Sequence, residues 1–550
     1  MSLRSSTVRL SKRLKVPFVA VSSQARLSTM PIDPSIGLTD HQKELQGRAR
    51  AFADKEFAPR MQEWDMKEHF PIDVLRKSAG HGFGGLYVRT DVGGSGFGRM
   101  EASLVFEALS TGDVSTTAYM TLHNMCAWII DAFGSEQQRQ KYLPRLTTME
   151  LLSSYCLTEP GAGSDAASLS TKAVKKGSHY VLNGSKAFIS GAGASEVYLV
   201  LARTGDAGPK GVSCFIVEKG FKGLSFGKKE RKVGWNSQPT RAIIMEDCEV
   251  PAENLVGSEG QGFFIAMSGL NGSRLNIGAA QASLETTLEH VKGRKRLGDS
   301  SSAFHTEHKL ADLATSLISS RLMIRQAAAA MDRGDSNASV FSSMAKLHAS
   351  EKCFAIVDEC FQLLSGYGYS EGHKLNNYFR DARVHRILGG TSEIMHLLDI
   401  HVGADWGLNN RQLAYILATA EHESTFRPIK EVGGAKKSYN PFFGRGYVQL
   451  THKENYARYG KLLKLDLVEK PDLALQEDVA RVVLVHGMTY GWFTGKELSD
   501  YIDKDHGNYV GARWIVNSQD KAQLIAKMAE LWEGFLFGNN TIGAHKAPSK

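Results

Sequence analysis

Tyr155-Cys-Leu-Thr-Glu-Pro-Gly-Ala-Gly-Ser-Asp165 marks the point where the pattern of the chain changes. Before it, from Leu38 to about Leu152, apolar residues recur at helical spacing, as in His41 to Phe52 and Met100 to Leu109, with glycine-rich breaks between. After it, as far as Pro251, come short β-branched and aromatic runs: Tyr180-Val-Leu182, Val197-Tyr-Leu-Val-Leu201, Val212-Ser-Cys-Phe-Ile-Val217 and Ala242-Ile-Ile-Met245. Asn183-Gly184 falls between two of these runs and predicts a hairpin turn, because both residues tolerate positive φ; the expectation is an antiparallel β domain. Beyond Gly260 helical spacing returns, with Leu310, Leu313, Ala314, Leu317 and Ile318 on one face, and predicts long helices bundled as far as about His401. The order helical, β, helical excludes a doubly wound nucleotide fold. Gly93-Gly-Ser-Gly-Phe-Gly98 reads as a plain loop, since it follows no βα unit and lacks the spacing of a phosphate loop.

A chain of 550 residues exceeds one core and predicts two to four domains. Lys+Arg 66 against Asp+Glu 58 leaves +8, too mild and too spread for a nucleic-acid surface. Residues 1–30 carry Arg4, Arg9, Lys12, Arg13, Lys15 and Arg26 among serines, with no acid before Asp33, the composition of a mitochondrial transit peptide; the expected location is the mitochondrial matrix. No run approaches the ~18 apolar residues of a membrane span. Cys126, Cys156, Cys214, Cys248, Cys353 and Cys360 have no metal-ligand spacing and read as reduced core thiols. All six precede residue 400, which hints that a second, unrelated module follows.

The opening stretch, together with Phe188-Ile-Ser190, resembles the segments that line the flavin ring in the acyl-CoA dehydrogenases. A flavin needs donors toward its N5 and pyrimidine edge and an aromatic wall on one face; Thr158, Ser190 and Phe188 are of the right types. Further likenesses follow in chain order: Leu270-Asn-Gly-Ser-Arg274, Arg294-Lys-Arg-Leu-Gly298, Gln362-Leu-Leu-Ser-Gly366 and Thr391-Ser-Glu393. The resemblance covers about residues 38–403 and implies three domains: helical over 38–152, β over 153–255 and a helical bundle over 256–402. It implies FAD held by Tyr155, Leu157, Thr158, Ser164, Phe188, Ile189, Ser190, Arg294, Gln362, Gly366, Thr391, Ser392 and Glu393, and acyl-CoA held by Ser164, Asn271, Arg274 and Gly390. Lys232-Val-Gly-Trp-Asn-Ser-Gln-Pro-Thr-Arg241 and Asn183-Gly-Ser-Lys-Ala-Phe-Ile-Ser-Gly-Ala-Gly193 are most similar to the branch of the family acting on isobutyryl-CoA. That implies valine catabolism, a homotetramer and electron-transferring flavoprotein as acceptor.

In Asp381-Ala-Arg-Val-His-Arg-Ile-Leu-Gly-Gly-Thr-Ser-Glu-Ile-Met395 the family has a Glu where this chain has Gly389. That Glu removes the substrate's α-proton, a contribution of about 10² to 10⁴ in rate. Two relatives carry the base on the helix equivalent to Leu270–Arg274, where this chain has Ser273, a poor base. The expectation is a slow dehydrogenase using water or a bound anion, or a flavin-binding scaffold without turnover.

Beyond Trp406, Arg411-Gln-Leu-Ala-Tyr-Ile-Leu-Ala-Thr-Ala-Glu-His-Glu-Ser-Thr-Phe426, Pro428-Ile-Lys-Glu431, Phe442-Phe-Gly-Arg-Gly-Tyr-Val-Gln-Leu-Thr451 and Asn455-Tyr456 resemble the family 19 glycoside hydrolases, the lysozyme-like chitinases and phage endolysins. Leu413, Ile416, Leu417 and Ala420 share one helical face, and Glu423 continues it, so its carboxyl meets apolar surroundings that suit a general acid. Glu431 is then the base that activates water in an inverting reaction. Gln449, Thr451 and Asn455 are expected to bind sugar, with Tyr447 as a stacking wall. The whole reads as a multidomain α+β chain: an acyl-CoA dehydrogenase fold followed by a mainly α, lysozyme-like domain over 408–540, with a disordered tail over 541–550. A polysaccharide hydrolase joined to a mitochondrial oxidoreductase unites substrates of different compartments, so a chimeric join of two coding units is the alternative to a natural fusion.

Overall fold

The computed structural model describes residues 32–270, 276–293, 300–335, 338–392, 395, 408–425, 427–503, 505–517 and 519–538. The expected transit peptide and the 541–550 tail lie outside them, as do Asn271, Arg274, Arg294 and Glu393.

Among the described residues six α-helices come first: α1 Asp40–Phe52, α2 Met61–Met66, α3 Ile72–Ala79, α4 Arg99–Leu109, α5 Val114–Phe133 and α6 Glu136–Thr147. Their starts are written in the sequence. Thr39 with Gln42, and Ser135 with Gln138, form capping boxes on α1 and α6, and Asp113 accepts from the Thr116 N–H at the head of α5. Residues 93–98 form the expected loop, without helix or strand.

Eight strands follow: β1 Ser153–Cys156, β2 Lys172–Lys176, β3 His179–Ser190, β4 Val197–Arg203, β5 Val212–Glu218, β6 Leu224–Lys229, β7 Thr240–Pro251 and β8 Leu255–Val256. They form one sheet in the order β6-β7-β3-β2-β4-β5-β8, with β1 on β4. Most pairs are antiparallel, as expected, but β1 and β2 both run parallel to β4. The hairpin expected at Asn183-Gly184 is corrected: both residues lie inside β3, at a register shift between Leu182 and Gly184. The Asn183 side chain bonds across to Asp247, donating to its carboxylate and accepting from its N–H, while a Cβ on Gly184 would meet Thr171 Oγ1 at 2.6 Å. The extra residue at this irregularity lies in β7, between Met245 and Cys248, and Asn183 braces it from across the ladder while Gly184 lets Thr171 press close. The turn between β2 and β3 is made instead at Gly177, with φ +61°.

The helical bundle comprises α7 Gly262–Leu270, α8 Asn276–Gly293, α9 Ser300–Arg333, α10 Ala338–Leu364, α11 Gly366–Tyr369 and α12 Lys374–Arg383. Leu310, Leu313, Ala314 and Leu317 are buried together as expected, with Cys353 and Cys360 among them. A buried ion pair fastens the bundle to the first domain: Arg321 donates to Glu107 at 2.7 Å and to Gln281 at 2.6 Å. All six cysteines are free and buried, in agreement with the reading as core thiols. No described helix is long and apolar enough to cross a membrane.

The C-terminal module begins at α13 Asn410–Ser424, whose capping box is Asn409 with Gln412. A two-stranded piece (β9 Ile429–Lys430, β10 Arg445–Gly446) and helices α14 Lys453–Leu463, α15 Glu477–Thr489 and α16 Ala522–Gly538 complete it. Its core joins Leu413, Ile416, Leu417 and Ala420 to Leu484 and Ile525. Leu531 of α16 also packs on the cluster holding Phe263 and Met267 of α7, so the module rests on the rest of the chain.

Candidate functional site

β1 ends at Cys156 and delivers the loop 157–165, while a bulge in β3, between Lys186 and Ile189, lifts Ala187 and Phe188 beside it. The Ala187 N–H donates to the Thr158 carbonyl at 2.8 Å and joins the two segments. Phe188 has φ +59° and is 68% exposed. A bulky residue in the left-handed region with its ring in the open costs backbone energy, on the order of 1–3 kcal/mol, that no core contact repays, and such outliers cluster at ligand sites. Thr158 and Ser190 are half-buried beside it, and neither hydroxyl makes a hydrogen bond within the described residues. The Tyr155 hydroxyl is buried without a partner, and burial pushes its pKa well up. An exposed ring, two unengaged hydroxyls and an orphaned phenol fit a planar, acceptor-rich cofactor such as a flavin. Leu157 and Ile189 are buried in cores, which leaves only their backbone to a ligand.

Beneath this shelf lies a pair that sequence reading missed. Lys186, with no exposed surface, donates to Glu159 Oε1 at 2.7 Å and to the Leu157 carbonyl at 3.2 Å. Glu159 also accepts from the Ser170 N–H (2.6 Å), the Ser170 hydroxyl (2.7 Å) and the Thr171 N–H (3.0 Å). Burial alone would raise the Glu159 pKa, but the Lys186 charge and these donors hold it at about 2. The available signal was a lysine on the same strand parity as buried Leu182, a position that demands an inward partner.

The segment bearing Gly389 is tied to the shelf through the loop before β7. The Gly191 N–H donates to Pro239 O at 2.8 Å, the Trp235 N–H donates to Asp381 Oδ1 at 2.6 Å, and the Trp235 ring meets His385 at 5.4 Å. His385 is buried with Nε2 unpartnered, and burial together with Lys346 lowers its pKa to about 3. Gly389 and Gly390 have φ +62° and +89°, and a Cβ on Gly389 would meet nothing within 4 Å. Lys346 Nζ donates to the Gly390 carbonyl, and Ser392 and Arg386 both donate to Glu351. Thr391 is half-buried; Ser164, Gln362 and Gly366 are exposed. Ser365, at a usual family glycine, takes the glycine-like φ of +54°.

In the C-terminal module the surroundings of Glu423 are not the apolar ones expected. Arg513 Nη2 lies 2.8 Å from Glu423 Oε1, yet Oε1 and Arg513 Nη1 have no hydrogen bond among the described residues. Glu431 accepts from the Gly444 N–H (3.1 Å) and the Tyr439 hydroxyl (3.1 Å); the Gly444 bond, ahead of Tyr439 and Lys437, holds its pKa below the usual carboxylate range. Tyr447 is corrected: it is 3% exposed, inside the module core, and is no stacking wall. The Gln449 amide donates to the carbonyls of Ile429 and Gly446, and Asn455 donates to Thr451 O, so both amide groups are partly committed to the fold.

Residues 39–150, 154–248 and 260–401 match the family models for the N-terminal, middle and C-terminal domains of acyl-CoA dehydrogenase. Mitochondrial isobutyryl-CoA dehydrogenase of Bos taurus is 56% identical over 373 residues, 67% of this chain and 90% of that protein. Its counterpart from Dictyostelium discoideum is also 56% identical, over 66% and 90%. Among solved structures, butyryl-CoA dehydrogenase from Megasphaera elsdenii has a TM-score of 0.64 at 34% identity, covering 66% of this chain and 98% of that one. The FAD complex of PigA has a TM-score of 0.64 at 28% identity, covering 67% and 99%. The three family models stop at residue 401.

Proposed function

Since the chain belongs to the acyl-CoA dehydrogenase family, we propose that it oxidises isobutyryl-CoA or a similar short branched acyl-CoA to the 2,3-enoyl-CoA, slowly, in the mitochondrial matrix as part of valine breakdown. The observation that carries this reading is the open shelf of Phe188, Thr158 and Ser190 beside the Gly389 segment. FAD would supply the hydride acceptor for the substrate's β-carbon. Phe188, Thr158 and Ser190 would hold its ring, Phe188 as an aromatic wall and the two hydroxyls as donors to its polar edge. Gly389 and Gly390 keep a peptide N–H that can polarise the thioester carbonyl, which acidifies the α-proton. The carboxylate that would take that proton is missing, and the open space beside Gly389 admits water or a small anion in its place. Electron-transferring flavoprotein is the natural acceptor and a homotetramer the natural assembly, with Gln362 and Gly366 on the exposed face toward a second copy.

The deciding experiment is anaerobic addition of isobutyryl-CoA to the purified protein while its flavin absorbance is followed. Bleaching within minutes supports the slow-enzyme reading. A flavin that stays yellow makes this part a scaffold without turnover.

One observation favours a second activity. Glu423 and Arg513 bring partly unpaired polar atoms together at a helix end, and Glu431 is held ionised by Gly444 and Tyr439. Two such carboxylates are what an inverting hydrolase of chitin or peptidoglycan requires, with Glu431 as base, Glu423, which must take up a proton despite Arg513 beside it, as acid, and Gln449, Thr451 and Asn455 toward the glycan. Release of reducing ends from either polymer tests it, and a silent module on both polymers leaves the dehydrogenase alone.

A further inference from the structure

The charged pair under the shelf calls for an explanation that stability does not supply. A buried ion pair recovers little more than its own desolvation, and apolar replacements of similar size are often neutral or stabilising. Position is more informative. Glu159 directly follows Thr158, and Lys186 precedes Phe188 by two residues, so the pair joins the two segments that bear the three shelf residues. Lys186 draws in the Leu157 carbonyl, the Ala187 N–H holds the Thr158 carbonyl, and Glu159 pins the backbone at Ser170 and Thr171. With both carbonyls engaged inside the protein, what Thr158 presents outward is its hydroxyl donor.

We propose that Lys186 and Glu159 are positioning residues of the flavin shelf, fixing the donors of Thr158 and the raised ring of Phe188 while cancelling each other's charge beneath the bound ring. This rests on the flavin reading given above.

The pair's asymmetry makes the assignment testable. In Lys186→Met the Glu159 carboxylate keeps three donors and stays ionised, so an uncompensated negative charge remains. In Glu159→Gln the ammonium keeps only neutral acceptors, the Leu157 carbonyl and the new amide oxygen, and without a counter-charge burial drives it to shed its proton. The double variant Glu159→Gln/Lys186→Met is neutral again. Each full-length variant is loaded with FAD, and three quantities are measured: the flavin reduction potential, the FAD dissociation constant and the thermal midpoint.

The reduced flavin carries negative charge, so Lys186→Met is expected to lower the potential, while Glu159→Gln and the double variant stay near the parent. All three are expected to bind FAD at least tenfold more weakly, including the double variant even where its thermal midpoint matches the parent. A double variant with the parent's FAD affinity, or a Lys186→Met potential equal to the parent's, would overturn the assignment and leave the pair purely structural. A parent that takes up no FAD overturns the flavin reading itself, and the assignment with it.

Discussion

Each half of the molecule buries one carboxylate against one cation at a candidate site, and the two pairs differ in completeness. Lys186 and Glu159 lie 2.7 Å apart with 0% and 3% of their side chains exposed, and every charged atom has a hydrogen-bond partner. Arg513 and Glu423 lie 2.8 Å apart at 3% and 19%, but without the alignment a hydrogen bond needs, so Glu423 Oε1 and Arg513 Nη1 go unbonded. A pair whose charged atoms are all bonded within the protein and hidden from solvent serves the backbone around it. An unsaturated pair keeps polar atoms available, a state that natural proteins tolerate chiefly where a ligand or a reaction uses it. In the first half, moreover, the segment where the family carries a free carboxylate has only Gly389. On the proposed reading, the dehydrogenase part keeps a carboxylate that serves its fold and has glycine where a base would stand, whereas the C-terminal module would supply the reactive carboxylate.

The comparison breaks most visibly at Glu423. Removing a positioned acid costs roughly 10² to 10⁴ in rate, so Glu423→Gln is expected to abolish at least 99% of reducing-end release from the cleavable glycan. Unchanged release from the variant would place Glu423 with Glu159 among purely structural groups. The reverse holds for stability. Glu159→Gln strips the counter-ion from a fully buried ammonium and should cost about 3 kcal/mol or more in denaturant unfolding. Glu423→Gln strips Arg513 in the same way, but Glu423 is 19% exposed and its Oε1 accepts no hydrogen bond, so the loss should be smaller than for Glu159→Gln. Equal losses would erase the distinction between the pairs.

Acid should separate the halves as well. Burial lowers the His123 pKa from 6.5 to about 4, and burial with Lys346 lowers that of His385 to about 3. Below about pH 6.5 the unfolded chain therefore binds protons that the folded chain refuses, and stability falls with acid by up to about 1.4 kcal/mol per pH unit for each group, until the folded values are reached. In the C-terminal module burial, with Arg458, lowers the pKa of His486. From pH 7 to pH 5, loss of flavin absorbance on heating should move to lower temperature by more than loss of glycan cleavage does. Equal shifts would mean that the two histidines are not buried neutral.

What could be read from the chain follows from range. The order of helical, β and helical parts is a matter of local periodicity, and the caps at Thr39, Ser135 and Asn409 are spelled out within three residues. Phe188, Thr158 and Ser190 stood out because they sit inside short motifs, and the bond from the Ala187 N–H to the Thr158 carbonyl joins the two segments that carry them. Asn183-Gly184 misled because its local preference for a turn was overridden by Asp247 across the strand and by Thr171 above it. Tyr447 misled because an aromatic residue reads alike whether it faces a groove or a core. Arg513 left no trace near Glu423, since nothing local specifies a partner so far along the chain.

The smallest expected effect concerns the missing carboxylate itself. Gly389→Glu returns a base to the position where a Cβ has open space, so sterics do not oppose it. The backbone does, because φ +62° costs an L-residue about 1–2 kcal/mol. That strain should appear as a thermal midpoint a few degrees lower. It returns a carboxylate to the position where the family's base is expected, and on the proposed reading isobutyryl-CoA oxidation should rise at least tenfold, about 1.4 kcal/mol off the barrier. Gly389→Ala carries the same strain without the carboxylate, and it should lower the midpoint alike while leaving the rate unchanged. A gain in the Glu variant alone shows that the first half lacks only a reactive group. A gain in neither refutes the argument that a missing base is what slows the first half.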